Sequence, residues 1–169
     1  MTADLPPDEV ARRSAEAMWA DDRASKALGM RIVEVGPGRA TLEMTVGQDM
    51  VNGHGIGHGG LTFSLADSAF AFACNSYNRR TVALACEIAY LAPTQLGDLL
   101  TATAVERHRE GRDGTYDVTV RNAAGVVAEF VGRSREIRGT LFAEDTAAGP
   151  EDPVGPADPE DEARRAPPA

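Results

Sequence analysis

Polar and apolar residues alternate in several short stretches of the chain, and this pattern predicts β-strands. In "MRIVEVGPGRATLEMTV", residues 30–46, the alternation runs on both sides of a Gly-Pro-Gly turn at 36–38, which is typical of a hairpin. The segments after residue 80 continue the pattern, and short turn sequences separate the later ones. Four further strands are predicted there, at about 81–92, 98–109, 114–122 and 126–137.

Between the hairpin and the later strands, the spacing of apolar residues changes to that of a helix over residues 59–78. Four side chains form an apolar stripe that we expect to face the sheet: Leu61, Leu65, Ala69 and Phe72. The N-terminal segment 1–28 predicts one or two short helices that end at Gly29. This order predicts an α+β fold, in which one long helix covers a six-stranded antiparallel sheet.

One carboxylate, Asp67, interrupts the long helix almost opposite the apolar stripe. On the same face the pattern places Gly60, Ser64, Ala71 and Asn78, with Phe63 and Phe70 beside them. Residues 59–78 contain no Lys, Arg or Glu, so this face lacks the composition of a solvent-exposed one. We expect a second copy of the chain to cover it, since two-fold homodimers use the same patch on both subunits. An acid held there has a raised pKa and serves as base or nucleophile, or it is a hydrogen-bonded structural residue.

A loop rich in glycine and histidine, residues 47–58, leads into this helix. His58-Gly59-Gly60 places flexible backbone at the helix N-terminus, where free N–H groups and the helix dipole attract a carbonyl oxygen. Gly59 is therefore a candidate donor of an oxyanion hole. Because Gly59 and Asp67 are about 12 Å apart along a helix, they reach the same reacting group only if they come from different subunits of a dimer.

Composition excludes several classes of protein. The chain has 169 residues, of which 43% are hydrophobic and 25% charged, and these values suit one globular domain. Its longest apolar run is too short to span a bilayer, and its acidic N-terminus lacks the features of a secretory signal, so we expect a cytoplasmic protein. Its arginines are scattered, which excludes a nucleic-acid interface. Cys74 and Cys86 lie in apolar stretches and are expected to be free, buried thiols without a disulfide or zinc.

The net charge of -9 is concentrated at the C-terminus, where residues 139–169 hold eight acids, two arginines and six of the ten prolines. This segment has few apolar residues to bury and is predicted to be a disordered tail. The predicted organisation is an N-terminal helical lead-in at 1–28, the main domain at 29–138 and the acidic tail at 139–169.

The motifs of the loop, the long helix and the following strand resemble those of the PaaI-type acyl-CoA thioesterases of the hotdog superfamily. They occur in family order: Asn52, the H-G-G at 58–60, F-S-L-A-D ending at Asp67, and L-x-P-x-x-x-G-D at 91–98. The resemblance covers about residues 1–138. It implies a hotdog fold, in which an antiparallel sheet wraps a long central helix. It also implies homodimers that pair into a homotetramer with active sites at the subunit interface, and no cofactor or metal beyond the coenzyme A of the substrate.

The resemblance further implies hydrolysis of aryl- or phenylacetyl-type CoA thioesters, including hydroxyphenylacetyl-CoA, in phenylacetate degradation. Carried over by position, Asp67 is the general base or nucleophile and the Gly59 N–H polarises the thioester carbonyl. Asn52 positions water or substrate, and His58 supports the loop geometry. His54 receives no role.

Substrate contacts are expected from Gly60, Ser64 and Ser68. Several arginines could bind the CoA phosphates, or could be solvated strand ends: Arg133 and Arg135 first, with Arg138, Arg79 and Arg80. The chain departs from its relatives at 90–93, where Tyr-Leu-Ala-Pro stands in place of F-L-R-P, and at Glu87, where relatives often have Thr. The missing arginine leaves the contacts to CoA open.

Three other functions fit parts of the pattern. A hotdog dehydratase or hydratase, acting on acyl-CoA or acyl carrier protein, would pair His54 or His58 with Asp67. A non-catalytic acyl-CoA-binding regulator usually carries a DNA-binding domain, for which residues 1–28 are too short and too acidic. A metal hydrolase would use His54 and His58, which lack an evident third ligand.

Overall fold

The computed structural model describes residues 5–143. Two N-terminal helices come first, followed by two strands, a long helix and four strands, in the order that the sequence predicts. A short 3-10 helix, which was not predicted, lies in the loop before the long helix. Their bounds are α1 Pro7–Asp21, α2 Arg23–Ala27, β1 Arg31–Gly36, β2 Arg39–Thr45, the 3-10 helix Gln48–Met50, α3 Gly59–Cys74, β3 Thr81–Tyr90, β4 Leu99–Glu110, β5 Asp113–Asn122 and β6 Gly125–Glu136. No helix within the described residues is long and apolar enough to cross a membrane.

The six strands form one antiparallel sheet in the order β1-β2-β4-β5-β6-β3, so that β1 and β3 lie at its two edges. The register aligns side chains into rows that cross the sheet. One row passes through five strands, with Leu42, Ala102, Val120, Ala128 and Tyr90 paired in succession. The first four side chains of this row are buried beneath α3, whereas Tyr90, at the edge, is 53% exposed. The sheet with one long helix against it is the arrangement that the hotdog resemblance implies.

Helix α3 packs on this face of the sheet through small and aromatic side chains, among them the buried Leu65, Ala69 and Phe72 of the predicted stripe. Phe70, which the sequence placed beside Asp67, instead points into the core, with its ring centroid 5.6 Å from that of Tyr116. Opposite Phe70 lies Gly132, where an added Cβ would be 2.7 Å from the Phe70 ring. The absence of a side chain at 132 therefore makes room for the ring.

The prediction that α3 extends to residue 78 is wrong, because the helix ends at Cys74. The side chain of Asn75 terminates it, donating to the carbonyl oxygens of Ala71 and Thr81 at 3.0 Å each and accepting from the Thr81 N–H at 2.9 Å. Asn78 has a positive φ of 56°, a conformation outside the right-handed helix. It is consequently not on the face of α3 that carries Asp67.

The N-terminal helices α1 and α2, predicted from the sequence, each contact α3 through a side chain. Ser25 of α2 and Ser68 of α3 share a hydrogen bond of 3.0 Å between their hydroxyl oxygens. Trp19 of α1 has its ring centroid 6.0 Å from that of Phe72. Both contacts fall on the side of α3 that carries Phe72 of the predicted apolar stripe, and not on the face that carries Asp67.

The residues after β6 remain attached to the domain through Phe142. The Arg80 N–H donates to the Gly139 carbonyl oxygen at 3.1 Å. The buried Asn78 accepts from the N–H groups of Leu141 and Phe142 at 3.0 and 3.1 Å. The first residues of the predicted tail therefore contact the body. Its remainder, 144–169, lies outside the described residues.

Candidate active site

The loop before α3 is shaped by its own hydrogen bonds. The Asn52 side-chain oxygen accepts from the His54 N–H at 2.9 Å, and the Asn52 N–H donates to the Ile56 carbonyl oxygen at 2.8 Å. Farther along, the Gly57 N–H donates to the carbonyl oxygen of Thr94 at 2.8 Å, which ties the loop to the connection after β3. The Asn52 carboxamide is thereby held in one orientation, with its nitrogen outside the turn that its oxygen closes.

The start of α3 is fixed from two sides. His58 is the N-cap residue, and its Nδ1 accepts from the Gly60 N–H at 3.0 Å. From β3, the hydroxyl of Tyr90 donates to the Gly59 carbonyl oxygen at 2.9 Å. Both ends of the peptide unit between Gly59 and Gly60 are therefore held. The Gly59 N–H has no acceptor among residues 5–143, and it points outward at the positive end of the helix dipole.

A cavity of about 290 Å³ opens beside this helix start. Its wall combines the polar loop with apolar residues of the segment after β3: Asn52, Ile56, Gly57, Gly59, Thr62, Tyr90, Leu91, Ala92, Pro93, Thr94 and Val127. The structure thus brings Asn52 and Gly59, two of the residues predicted to act in catalysis, to the same cavity. It also places the departure from F-L-R-P, residues 90–93, in that wall.

Asp67 lies two turns further along α3 and does not line this cavity. Its carboxylate is partly buried, and its Oδ1 accepts from the Cys86 thiol of β3 at 3.7 Å. Burial raises the pKa of Asp67, and the hydrogen bond from Cys86 opposes that rise. Within residues 5–143, no Lys, Arg or His forms an ion pair with this carboxylate. The separation of about 12 Å from Gly59 is the one expected from the sequence.

Comparison with known proteins identifies the family. A model of the "Thioesterase superfamily" matches residues 54–129. The chain is 47% identical to the acyl-coenzyme A thioesterase PaaI of Escherichia coli over 133 residues, which cover 78% of this chain and 95% of the relative. The chain belongs to the thioesterase superfamily. The human acyl-coenzyme A thioesterase 13 is 32% identical over 123 residues, 70% of this chain and 88% of the human protein.

The fold comparison agrees with this assignment. The solved structure of E. coli PaaI, described as a protein of the phenylacetic acid degradation operon, superposes with a TM-score of 0.78 at 46% identity, covering 80% of this chain and 99% of that one. This member of the thioesterase superfamily therefore has the hotdog fold that the resemblance implied. It is an enzyme of a family whose members hydrolyse thioesters.

The three residues of α3 predicted to contact substrate have different surroundings in this thioesterase. Gly60 is exposed at the helix start. The Ser64 hydroxyl donates to the Gly60 carbonyl oxygen at 2.8 Å. Ser68 is engaged with Ser25 of α2. Ser64 therefore bonds back to the helix start, whereas Ser68 contributes to packing of the N-terminal helices. Their roles in substrate binding stay predictions.

The arginines predicted to bind CoA phosphates are not brought to this site within one chain. Arg133 and Arg135 alternate along β6 with the buried Gly132 and Ser134, so they lie on the face of the sheet away from α3. Arg135 donates two hydrogen bonds of 2.7 Å to Asp113. The Arg133 guanidinium lies 3.9 Å from the Glu87 carboxylate. Their contact with CoA stays a prediction, and it requires a site that includes another subunit.

The other arginines predicted to bind CoA phosphates are Arg79, Arg80 and Arg138. They are exposed beyond the C-terminal end of α3, the end opposite to Gly59.

The histidines of the loop do not contact Asp67. Neither His54 nor His58 pairs with its carboxylate in the described part of the chain. Both cysteines are free, as predicted, although Cys86 is only partly buried.

Sequence reasoning missed two residues that touch the site, Tyr90 and Cys86. In the sequence, Tyr90 was noted only as a departure from the family pattern, and Cys86 only as a free thiol. Both lie on the face of β3 that looks toward α3, together with Ile88. The alternation of side chains along a strand puts 86, 88 and 90 on one face, but it does not say which strand lies beside α3.

Proposed function

We propose that the protein is an acyl-CoA thioesterase that cleaves aryl- or phenylacetyl-type CoA thioesters, including hydroxyphenylacetyl-CoA, to the free acid and CoA. The setting proposed is phenylacetate degradation in the cytoplasm. The observation that carries the proposal is the Gly59 N–H, which has no acceptor in residues 5–143 and belongs to a residue in the wall of a largely apolar cavity. Support comes from the similarity to E. coli PaaI and to human acyl-coenzyme A thioesterase 13.

In the proposed reaction, the thioester carbonyl oxygen accepts a hydrogen bond from the Gly59 N–H, which stabilises the negative charge that develops on it. Asn52 orients the water or the substrate beside it. Asp67 either removes a proton from the attacking water or attacks the carbonyl carbon itself to give a mixed anhydride that water then hydrolyses. In both routes the C–S bond breaks, CoA leaves as the thiol after protonation, and one water is consumed. The proposal includes no metal and no cofactor.

The distance between Gly59 and Asp67 requires two subunits, and β3 offers a surface for the second. This edge strand exposes apolar side chains, with Val82 at 44% and Leu84 at 54%, and an unpaired sheet edge is a template for another strand. We propose a two-fold dimer through this edge, and dimers pairing into a tetramer. In this dimer, Asp67 of one subunit meets Gly59 of the other only if Cys86 of one β3 lies opposite Tyr90 of the other. The two-fold axis must therefore pass near Ile88, which is midway between Cys86 and Tyr90 along the strand.

The first experiment follows CoA release from phenylacetyl-CoA, hydroxyphenylacetyl-CoA, benzoyl-CoA and a series of linear acyl-CoAs. The proposal predicts the fastest turnover for the aryl esters and a loss of about a hundredfold or more in Asp67→Asn. Slow turnover of aryl esters beside fast turnover of linear ones would contradict the substrate class. Binding of all these thioesters without CoA release would contradict hydrolysis, and would leave a hydratase or an acyl-CoA-binding regulator.

The shared site is tested by mixing two impaired variants, Asp67→Asn and Gly59→Ala, after dissociation and reassociation. A heterodimer contains one site with both residues intact. Random pairing of subunits therefore restores about a quarter of the wild-type sites. If both groups of one site came from the same subunit, the activity of the mixture would not exceed the mean of its two components.

A further inference from the structure

Two contacts of β3 fall on the two residues of α3 that carry the proposed reacting groups. Tyr90 donates its hydroxyl to the Gly59 carbonyl oxygen at 2.9 Å, and Cys86 donates its thiol to Asp67 at 3.7 Å. No other side chain of β3 forms a hydrogen bond to α3 in the described part of the chain. The edge strand and the helix are thus joined by side-chain hydrogen bonds at the two positions where the proposed reaction needs an oriented group.

The spacing of the two contacts matches in both elements. Gly59 and Asp67 are eight residues apart, which is about 12 Å along a helix. Tyr90 and Cys86 are four residues apart, which is about 13 Å along a strand. Strand β3 and helix α3 run in opposite directions. Tyr90 therefore reaches Gly59 at one end of this stretch, and Cys86 reaches Asp67 at the other end. Because side chains alternate along the strand, Ile88 faces α3 between them.

We infer that strand β3 positions both reacting groups of α3, with Tyr90 fixing the backbone at Gly59 and Cys86 orienting the Asp67 carboxylate. The inference rests on the proposed function and deepens it. Tyr90 and Cys86 are positioning residues here, since they act through Gly59 and Asp67.

The role of Tyr90 follows from the flexibility of the residues it contacts. Two consecutive glycines begin α3, and glycine backbone has more conformational freedom than that of any other residue. The Tyr90 hydroxyl holds the carbonyl side of the Gly59-Gly60 peptide and His58 holds the N–H side. The Gly59 N–H belongs to the preceding peptide unit, whose carbonyl oxygen, that of His58, accepts from the Leu61 N–H at 2.9 Å. With both peptide units held, the backbone at Gly59 keeps one conformation in the cavity wall. Loss of the hydroxyl releases one of the two restraints and leaves the cavity wall in place.

The role of Cys86 follows from the surroundings of Asp67. Burial raises the pKa of the Cys86 thiol to about 11, so the thiol remains protonated and can donate throughout the neutral range. Cys74, at the end of α3, is the other titratable group whose pKa responds to Asp67, and burial raises it to about 12. Neither thiol carries charge at neutral pH. Among residues 5–143, Cys86 is the one hydrogen-bond donor to the Asp67 carboxylate.

The test compares Tyr90→Phe, Cys86→Ala and Cys86→Ser with two matched controls. Tyr77→Phe removes a hydroxyl that donates to Glu106 at 2.9 Å, near the other end of α3. Cys74→Ala removes a thiol that donates to a backbone carbonyl oxygen of α3. The assay measures kcat, KM and the pH profile of kcat on a CoA thioester that the wild type hydrolyses, with oligomeric state and melting temperature measured for every variant.

Tyr90→Phe is expected to lower kcat about three- to tenfold with KM within twofold of wild type, because the lost hydrogen bond acts on the transition state. Cys86→Ala is expected to move the acid limb of the kcat profile to higher pH, since the lost donor had stabilised the ionised carboxylate. Cys86→Ser retains a donor and restores the wild-type limb. Both controls keep the wild-type kcat and profile, even where Cys74→Ala lowers the melting temperature.

Two readouts do not depend on activity. Hydrogen exchange of the peptide covering the start of α3 is expected to be faster in Tyr90→Phe and unchanged in Tyr77→Phe. The Asp67 carboxyl, followed by carbon NMR of selectively labelled protein and assigned with Asp67→Asn, is expected to titrate at higher pH in Cys86→Ala than in Cys86→Ser. Equal exchange in wild type and Tyr90→Phe, with equal titration in the two Cys86 variants, overturns the inference. A wild type that releases no CoA overturns the proposed function, while these two readouts still decide the inference.

Discussion

A methyl group added at Gly59 tests the geometry of the helix start most directly. The Cβ of Gly59→Ala would lie 3.1 Å from Cζ of Tyr90, 3.2 Å from Cε1 and 3.3 Å from the hydroxyl oxygen. Ordinary contact between carbon atoms is about 3.5 Å or more, so the ring must withdraw by about 0.4 Å. Gly59 is not among the residues with positive φ, and the backbone accepts alanine without strain.

The magnitude follows from what this withdrawal changes. The hydroxyl is 2.9 Å from the Gly59 carbonyl oxygen, and moving it outward weakens a hydrogen bond worth about 1 kcal/mol. Alanine in place of glycine in a helix gains up to about 1 kcal/mol. The two effects oppose each other, so the free energy of unfolding should change by less than about 1 kcal/mol. For kcat/KM, no favourable effect of the added methyl group offsets the displacement. Displacing the proposed oxyanion donor should lower kcat/KM about ten- to a hundredfold.

The assay pairs urea unfolding with kcat/KM on the best CoA thioester, and Gly47→Ala is the control. An added Cβ at Gly47 meets nothing within 4 Å, so both quantities should stay at the wild-type value. Gly59→Ala with wild-type kcat/KM would refute the role of the Gly59 N–H. A loss of kcat/KM accompanied by a loss of several kcal/mol in stability would refute the reasoning about compensation, because the helix start would then have unfolded.

Three further variants test other parts of the structure. Gly132→Ala places a Cβ 2.7 Å from the buried Phe70 ring and should lower the free energy of unfolding by about 1–3 kcal/mol, measured by urea unfolding, with kcat/KM of the folded protein unchanged. The raised pKa of Asp67 means that the folded state holds its proton more tightly than the unfolded state. Asp67→Asn should therefore be more stable than wild type at neutral pH, an advantage that fades as the pH falls toward 3.8 in unfolding curves. Leu84→Lys at the exposed edge of β3 should give monomers in sedimentation and abolish activity, whereas an active monomer would contradict the shared site.

The fold was predictable because its periodicities are strong. Alternation located all six strands to within two residues, and helical spacing located the long helix and its N-terminus. The C-terminal end of that helix was not predictable in the same way. Asn75 continues the polar and apolar pattern of the helix, and what ends the helix there is a pair of bonds to Thr81, a residue of the next strand. Such a terminus depends on tertiary structure.

The candidate site was predictable where it depends on local sequence. The capped helix start and the spacing from Gly59 to Asp67 follow from residues close together in the chain. The contacts of β3 with α3 depend on which strand lies at the edge of the sheet, and strand order is not contained in the periodicity. The surroundings of the arginines also depend on the fold. Alternation puts Arg133 and Arg135 on the outer face of β6, opposite to Gly132 and Ser134, and their contact with CoA stays a prediction.

Strand β3 combines functions that explain its unusual composition. Its sequence, TVALACEIAY, contains a single charged residue, Glu87, although it lies at an exposed edge where charges commonly prevent association. One face supplies Cys86 and Tyr90 to the reacting groups, and the open edge is available to a second copy. If the proposed dimer forms, a variant that blocks pairing at this edge reduces activity in two ways. It removes the partner's contribution to the site, and it loosens the strand that contacts Gly59 and Asp67. The mixing experiment separates them, because it leaves every β3 edge intact and changes only the reacting groups.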